Sequence, residues 1–221
     1  MNTIKTMLGR AKVYIVLDRA VADYRKLFEI LGFCVDAGAD AVQLRDKNGS
    51  AKEILSFVRD ALSLTRGKLL FIVNDRLDIA LAAGCDGVHL GQDDLPVGEA
   101  RRIAGPDLII GASCQTIGHL QQAEAAGADY AGFGSVFKTL TKPERSPMPL
   151  EALKSAWVQA HIPIFPIGGI TMDTIDQVTA LGINRVAVTR AVCLSKDVVS
   201  AVRGLKAKLS IVGARDQECS L

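Results

Sequence analysis

Eight short aliphatic or β-branched runs alternate with segments of helical period. One four-residue phrase recurs at every second run, and the unusual polar residues gather at one end of the runs. Together these observations predict an α/β chain folded as a single (βα)8 TIM barrel. The length suits that fold, since 221 residues fall in the range of about 200–250 over which such barrels form one domain. Apolar residues make up 49% of the chain and aromatics only 5%, an aliphatic composition with ample material for a core.

The first strand is expected over 12–17 and a helix over 24–37, where Leu27, Ile30, Leu31, Cys34 and Val35 have helical spacing and Gly38 ends the pattern. The second strand is expected over 41–44. Ser50 followed by Glu53 forms a capping box, and Ile54, Phe57, Val58, Ala61 and Leu62 make the buried stripe of the next helix. Strands are then expected over 69–73, 87–90, 108–112, 130–134, 164–167 and 185–188. The intervening and final helices are expected over 77–83, 97–103, 116–126, 150–160, 173–181 and 198–209. A polar loop over 138–149 is the longest irregular segment inside the barrel. The last residues, 210–221, show no pattern and are expected to form a polar tail on a barrel spanning roughly 12–209.

The recurring phrase is Ala37-Gly38-Ala39-Asp40, Ala83-Gly84-Cys85-Asp86, Ala126-Gly127-Ala128-Asp129 and, degraded, Leu181-Gly182-Ile183-Asn184, with glycines 46, 43 and 55 residues apart. Each glycine ends a helix and each Asp or Asn opens a strand. The phrase marks every second strand, so the unit is two βα pairs taken four times. An open doubly wound sheet is the alternative, but such sheets more often carry a Gly-rich loop after the first strand, where this chain has Leu17-Asp18-Arg19.

The formal charge of +2 is too small to indicate nucleic acid, and no basic run is interleaved with aromatics. Five scattered cysteines, with no paired spacing and no His at ligand distance, argue against zinc and against a disulfide framework. No stretch is long enough to span a membrane, and the opening residues contain no apolar core of signal-peptide length. A reduced, cytoplasmic protein is expected, with no nucleic-acid or membrane partner; self-association is left open.

Gln43, Arg45 and Lys47 alternate along and beyond the second strand, so they share one face. A buried unpaired charge is costly, and this trio is better explained by a small anionic ligand than by a fraying strand. Barrels place their active sites at the strand C-termini. There Asn74 and Asp75 end the third strand, Gln92 and Asp94 follow the fourth, and Ser113 ends the fifth. Thr139, Thr141 and Lys142 follow the sixth, Gly168-Gly169 ends the seventh, and Thr189-Arg190 ends the eighth. Asp75 and Asp94, on neighbouring strand ends, suit Mg²⁺ held by carboxylates and substrate phosphate oxygens; taken singly, either could be an N-cap or a loop ion-pair partner. The Gly168-Gly169 turn exposes backbone N–H groups where barrels often bind phosphate. Arg45, Lys47 and Lys142 would face a second, more highly charged anion. His89 reads as a packed or hydrogen-bonded core residue and Cys114 as packing. No nucleophile–base arrangement is legible, and two anion pockets, one with a metal, point to a diphosphate leaving group.

Read together, Gln43-Leu44-Arg45-Asp46-Lys47, Val73-Asn74-Asp75-Arg76, the run from Asp86 to Asp94, Gly111-Ala112-Ser113, the run from Ala128 to Gly134, Thr139-Leu140-Thr141-Lys142 and the run from Pro166 to Thr171 resemble the thiamine phosphate synthase family. The resemblance implies condensation of hydroxymethylpyrimidine diphosphate with hydroxyethylthiazole phosphate, with Mg²⁺ on Asp75 and Asp94. It implies that Gln43, Leu44, Arg45, Asp46, Lys47, Asn74, Ser113 and Lys142 contact the pyrimidine diphosphate. Of these, Arg45, Lys47, Lys142 and Ser113 would act on the departing diphosphate. Thr139, Leu140, Thr141, Gly169, Thr189 and Arg190 would lie on the thiazole phosphate side. The chain departs from the family pattern at Gln115, Ser135, Lys138 and Arg190. The related thiazole tautomerases share the fold but typically lack the Gln-x-Asp loop and use a His where this chain has Gln115. A non-catalytic phosphate-binding barrel is the alternative from another class.

Overall fold

The computed structural model describes residues 3–140 and 146–218, with side chains as far as 212. Eight parallel strands run β1 (Val13–Asp18), β2 (Ala41–Arg45), β3 (Leu70–Asn74), β4 (Gly87–Leu90), β5 (Ile109–Cys114), β6 (Tyr130–Phe133), β7 (Ile164–Pro166) and β8 (Val186–Val188). Their order is β7-β6-β5-β4-β3-β2-β1-β8, and a bridge from Ile167 to Ala187 brings β7 and β8 together, closing the barrel. Helices α1 (Thr3–Arg10), α2 (Tyr24–Asp36), α3 (Ala51–Thr65), α4 (Leu77–Ala83), α5 (Val97–Ala104), α6 (Ile117–Ala125), α7 (Leu150–Gln159), α8 (Ile175–Thr179), α9 (Arg190–Cys193) and α10 (Val198–Glu218) complete the chain. The predicted barrel is the observed one. Among the described residues no helix is long and apolar enough to cross a membrane.

The core has two parts. Side chains such as Leu27, Leu31, Val58, Val88 and Leu205 fill the layer between strands and helices. Tyr14, Val16, Ile72, Tyr130 and Phe165 fill the barrel itself, and Leu8 of α1 packs beneath them. Helix α1 was not expected from the sequence; Ile4, Met7 and Leu8 are too few to show a period alone, and gain their role by closing the barrel at the end opposite the strand C-termini. Two other differences concern helix ends. The 173–181 helix is confined to Ile175–Thr179, because Thr174 Oγ1 accepts the Thr171 N–H at 2.9 Å and holds the preceding residues in a turn. The supposed tail from 210 instead continues α10 to Glu218. Buried Leu205, Leu209 and Val212 carry the apolar stripe past the point where the sequence becomes polar.

The repeated phrase now has a physical cause. Asp40 Oδ2 accepts the N–H groups of Lys12 and Val13 at 3.0 and 2.9 Å, Asp86 Oδ2 that of Phe71 at 2.8 Å, and Asp129 Oδ2 that of Ile110 at 2.9 Å. Each acid opens one strand and ties down the start of the strand before it, joining β1–β2, β3–β4 and β5–β6 at the end opposite the site. In the degraded copy, Asn184 Oδ1 is buried without a partner among the described residues. Asp86→Ala is therefore expected to cost about 1–3 kcal/mol, the penalty of stranding a buried N–H. Asp86→Asn, which keeps an acceptor, should cost less; urea unfolding of the two variants checks the ordering.

Candidate active site

Strand β2 carries Gln43, Arg45 and, just beyond its end, Lys47 towards the barrel mouth, each fixed by a different neighbour. Gln43 is buried and donates from Nε2 to Tyr14 Oη at 2.8 Å. Arg45 Nη1 pairs with Asp18 on β1 at 2.7 Å, and the Asp18 side chain is only 2% exposed. Lys47 Nζ contacts Asp75 Oδ2 and lies 3.9 Å from Asp94 Oδ1. The alternation thus brings three polar groups to one side, as the sequence spacing suggests. Leu44 points the other way and is buried in the helix-facing core. The Asp46 side chain also turns from the mouth: it accepts Tyr24 Oη at 2.7 Å and the N–H groups of Asn48 and Gly49 at 2.9 and 2.8 Å. It shapes the loop that carries Lys47.

Asp75 follows β3 with φ of 63°, the only positive φ at a non-glycine residue among those described. Asp tolerates that left-handed conformation better than most residues, and such outliers gather at functional sites. Its N–H donates to His89 O at 2.8 Å, tying the β3 end to β4. Asp94 is held by the Gly91 N–H, which reaches Oδ2 at 2.7 Å. Burial pushes the Asp75 carboxyl up, and a hydrogen bond with Asp94 pushes it further. Burial also disfavours the Asp94 carboxylate, but its bonds from Asp75 and Gly91 and the charge of Lys47 outweigh that, and Asp94 is held low. The two acids are thus shifted in opposite directions by each other's presence. Two neighbouring carboxylates are a donor set that fits Mg²⁺ completed by water and phosphate oxygens. Among the described residues no group of three or more His, Cys, Asp or Glu could ligate a metal unaided.

A cleft of about 330 Å³ opens beside this cluster, its floor set by Tyr14, His89 and Tyr130. Asn74 and Ser113 line it, and Asn74 Nδ2 is buried with no partner among the described residues, a donor left for a ligand. Gln92 Nε2 donates to Ser113 O at 2.6 Å and holds the β4 and β5 ends together. Across the cleft, Gly168 and Gly169 have φ of 103° and 65°. A Cβ on Gly169 would come within 2.5 Å of Lys138 O, so only glycine lets this turn lie under the β6 loop. The N–H groups of Gly169, Ile170, Arg190 and Ala191 have no backbone acceptor among the described residues. They line a cup in the cleft wall where β7 ends and α9 starts, the part of a barrel that often binds phosphate. Arg190 is exposed at the rim and makes no ion pair among the described residues. Asp197, a surface acid seven residues further on, instead accepts the N–H and hydroxyl of Ser200 at 2.9 and 2.7 Å.

Thr139 and Leu140 also line the cleft, while Thr141 and Lys142 lie outside the described residues. Cys114 is buried, its thiol pushed up to about 12 by burial, and serves packing. Sequence reasoning missed the Asp18–Arg45 pair, whereas His89 is the buried, hydrogen-bonded residue it was read to be, contacting Tyr130 and Ser113. The one signal for the missed pair is Asp18 itself, an acid closing an otherwise apolar strand.

A family model described as thiamine monophosphate synthase matches residues 13–192, most of the barrel. The chain belongs to that family. Proteins named thiamine-phosphate synthase from Moorella thermoacetica and Methanoculleus marisnigri are 42% and 41% identical over 88% and 91% of this chain, spanning 93% and 97% of their own lengths. The Gloeobacter violaceus relative of the same name is 42% identical over 88% of the chain, which spans only 56% of that longer protein. Among solved structures, a thiamine phosphate pyrophosphorylase from Pyrococcus furiosus has a TM-score of 0.84 at 35% identity, over 95% of this chain and 99% of that one. A 3-hexulose-6-phosphate synthase, with a TM-score of 0.67 at 19% identity, shares the fold. Within the thiamine monophosphate synthase family, the acid pair at the β3 and β4 ends and the N–H cup of the cleft are the features to explain.

Proposed function

We propose that the chain is a thiamine-phosphate synthase that joins 4-amino-2-methyl-5-hydroxymethylpyrimidine diphosphate to 4-methyl-5-(2-hydroxyethyl)thiazole phosphate and releases diphosphate. The observation that carries this reading is one cleft lined both by Arg45, Asn74 and Ser113, with the Lys47, Asp75 and Asp94 cluster next along the β2 to β4 ends, and by the N–H cup from Gly169 to Ala191. Arg45, Lys47, Lys142, Ser113 and the free Asn74 amide bind the pyrimidine diphosphate, and the cup with Thr139, Thr141 and Arg190 binds the thiazole phosphate. Asp75 and Asp94 hold Mg²⁺, which when bound neutralises charge on the departing diphosphate.

The C–O bond of the pyrimidine diphosphate breaks with its electron pair leaving on diphosphate. The resulting methylene cation is stabilised by the aminopyrimidine ring and captured by the thiazole nitrogen lone pair, forming the C–N bond. No proton need be removed, in keeping with a site that presents cations and N–H donors. The protein stabilises the leaving charge and keeps water from the cation, the latter with the apolar walls at Phe165, Ile167 and Ile170. The same reading assigns the chain to the cytoplasm, in keeping with four described cysteines that are all unpaired and buried.

Incubation with both substrates tests the proposal: thiamine phosphate and diphosphate should form together. Isomerisation of the thiazole with no diphosphate release would indicate tautomerase chemistry instead, and binding without turnover would indicate a non-catalytic barrel. One expected result is particular to this chain. Arg190 starts beside the cup and offers a fork that matches phosphate oxygens. Arg190→Ser should weaken thiazole phosphate about tenfold, equivalent to ~1.4 kcal/mol, and leave pyrimidine diphosphate unchanged. Calorimetric titration of each substrate checks the split; equal thiazole phosphate affinities would turn the guanidinium out to solvent.

A further inference from the structure

Five side chains from five strands form a continuous hydrogen-bonded chain across the barrel floor. Gln43 Nε2 donates to Tyr14 Oη at 2.8 Å, Tyr14 Oη lies 2.7 Å from Tyr130 Oη, Tyr130 Oη lies 3.0 Å from His89 Nδ1, and His89 Nε2 lies 3.0 Å from Ser113 Oγ. Glycines make room for it: a Cβ on Gly111 would fall 2.1 Å from the Tyr130 ring, and one on Gly132 would meet His89 Cε1 at 3.2 Å. Only the Ser113 end combines a role in this chain with a hydroxyl placed at the strand terminus, where a substrate would lie.

Counting hydrogens gives the chain a direction. Tyr14 Oη accepts from Gln43, and its own single hydrogen has Tyr130 Oη as its acceptor. In the reverse order Tyr130 would donate to Tyr14, leaving the Tyr14 hydrogen without an acceptor among the described residues, on a residue 2% exposed. Orphaned buried donors are costly, so the order that pairs every hydrogen prevails. Tyr130 then donates to His89 Nδ1. A neutral imidazole so engaged carries its proton on Nε2 and donates to Ser113 Oγ.

We infer that Tyr14, Tyr130 and His89 are positioning residues that fix His89 as the Nε2–H tautomer and thereby leave the Ser113 hydroxyl hydrogen free to donate to an acceptor atom of the pyrimidine diphosphate. The identity of that substrate rests on the proposed function; the direction of the chain does not. Without the relay, Ser113 could spend its one hydrogen on His89 and offer the substrate only lone pairs.

Two measurements test this. Long-range ¹H–¹⁵N correlations on the wild-type protein without substrate report the tautomer, and with three histidines in the chain His89→Gln assigns the signal. An Nε2–H tautomer is expected, and Nδ1–H would overturn the inference. In kinetics, Tyr130→Phe and Ser113→Ala should each lower kcat/KM for pyrimidine diphosphate about tenfold, and the double variant should lose no more than Ser113→Ala alone. Additive losses would mean that Tyr130 acts on folding or packing and not through Ser113. A preparation with no synthase turnover would count against the proposed function, and the tautomer, read on the wild-type chain, would then decide the relay by itself.

Discussion

Asp94→Asn is expected to lower turnover at least about a hundredfold, equivalent to ~2.7 kcal/mol of transition-state stabilisation, while leaving the fold intact. The reasoning separates the two jobs of Asp94. Its Oδ2 accepts the Gly91 N–H at 2.7 Å, a bond that an Asn carbonyl can still accept. Its charge, set beside Asp75 and Lys47, is what Asn cannot supply. The Mg²⁺ concentration for half-maximal rate should rise in the variant, with thermal unfolding close to that of the parent. An unchanged Mg²⁺ requirement would make the carboxylate a loop brace and remove it from the proposed metal site.

Arg45→Ala should be costly in both stability and activity. Asp18 is nearly inaccessible to water and has the Arg45 guanidinium at 2.7 Å as its charged partner, so truncating the arginine strands a buried carboxylate. Breaking such a pair from one side typically costs about 3–5 kcal/mol. The Ala20 N–H, which stays on Asp18 Oδ1 at 2.9 Å, should hold the loss near the lower end. Adding Asp18→Asn removes the stranded charge and should restore most of the stability without restoring diphosphate binding. Urea unfolding and the pyrimidine diphosphate KM of the two proteins separate these effects. A double variant that regains activity together with stability would show that Arg45 supports the fold and does not contact substrate.

Much of the barrel was legible because its cues are local. The α4 and β4 limits at Leu77–Ala83 and Gly87–Leu90 match the expected ones, where flanking Gly and Asp residues punctuate the pattern. The Ser50–Glu53 capping box is formed in full. Helices α1 and α9 escaped notice because eight and four residues carry too little periodicity, and tertiary contacts decide their state. The candidate site was legible as a list of strand-end residues but not as a set of partners. Asp18 meets Arg45 across 27 positions and Tyr14 meets Tyr130 across 116, separations that depend on strand register around the closed barrel. The alternation of Gln43, Arg45 and Lys47 was readable because period two separates the faces of a strand. Asp46, named through the family resemblance alone, has side-chain partners in Tyr24 and the turn amides that no local pattern announces.

The most direct measurement is the stoichiometry of diphosphate released to thiamine phosphate formed, with both substrates present and Mg²⁺ either supplied or chelated. One diphosphate per thiamine phosphate with Mg²⁺, and neither product when a substrate or the metal is withheld, is the predicted result. Diphosphate release that proceeds without the thiazole phosphate or without thiamine phosphate appearing would contradict it.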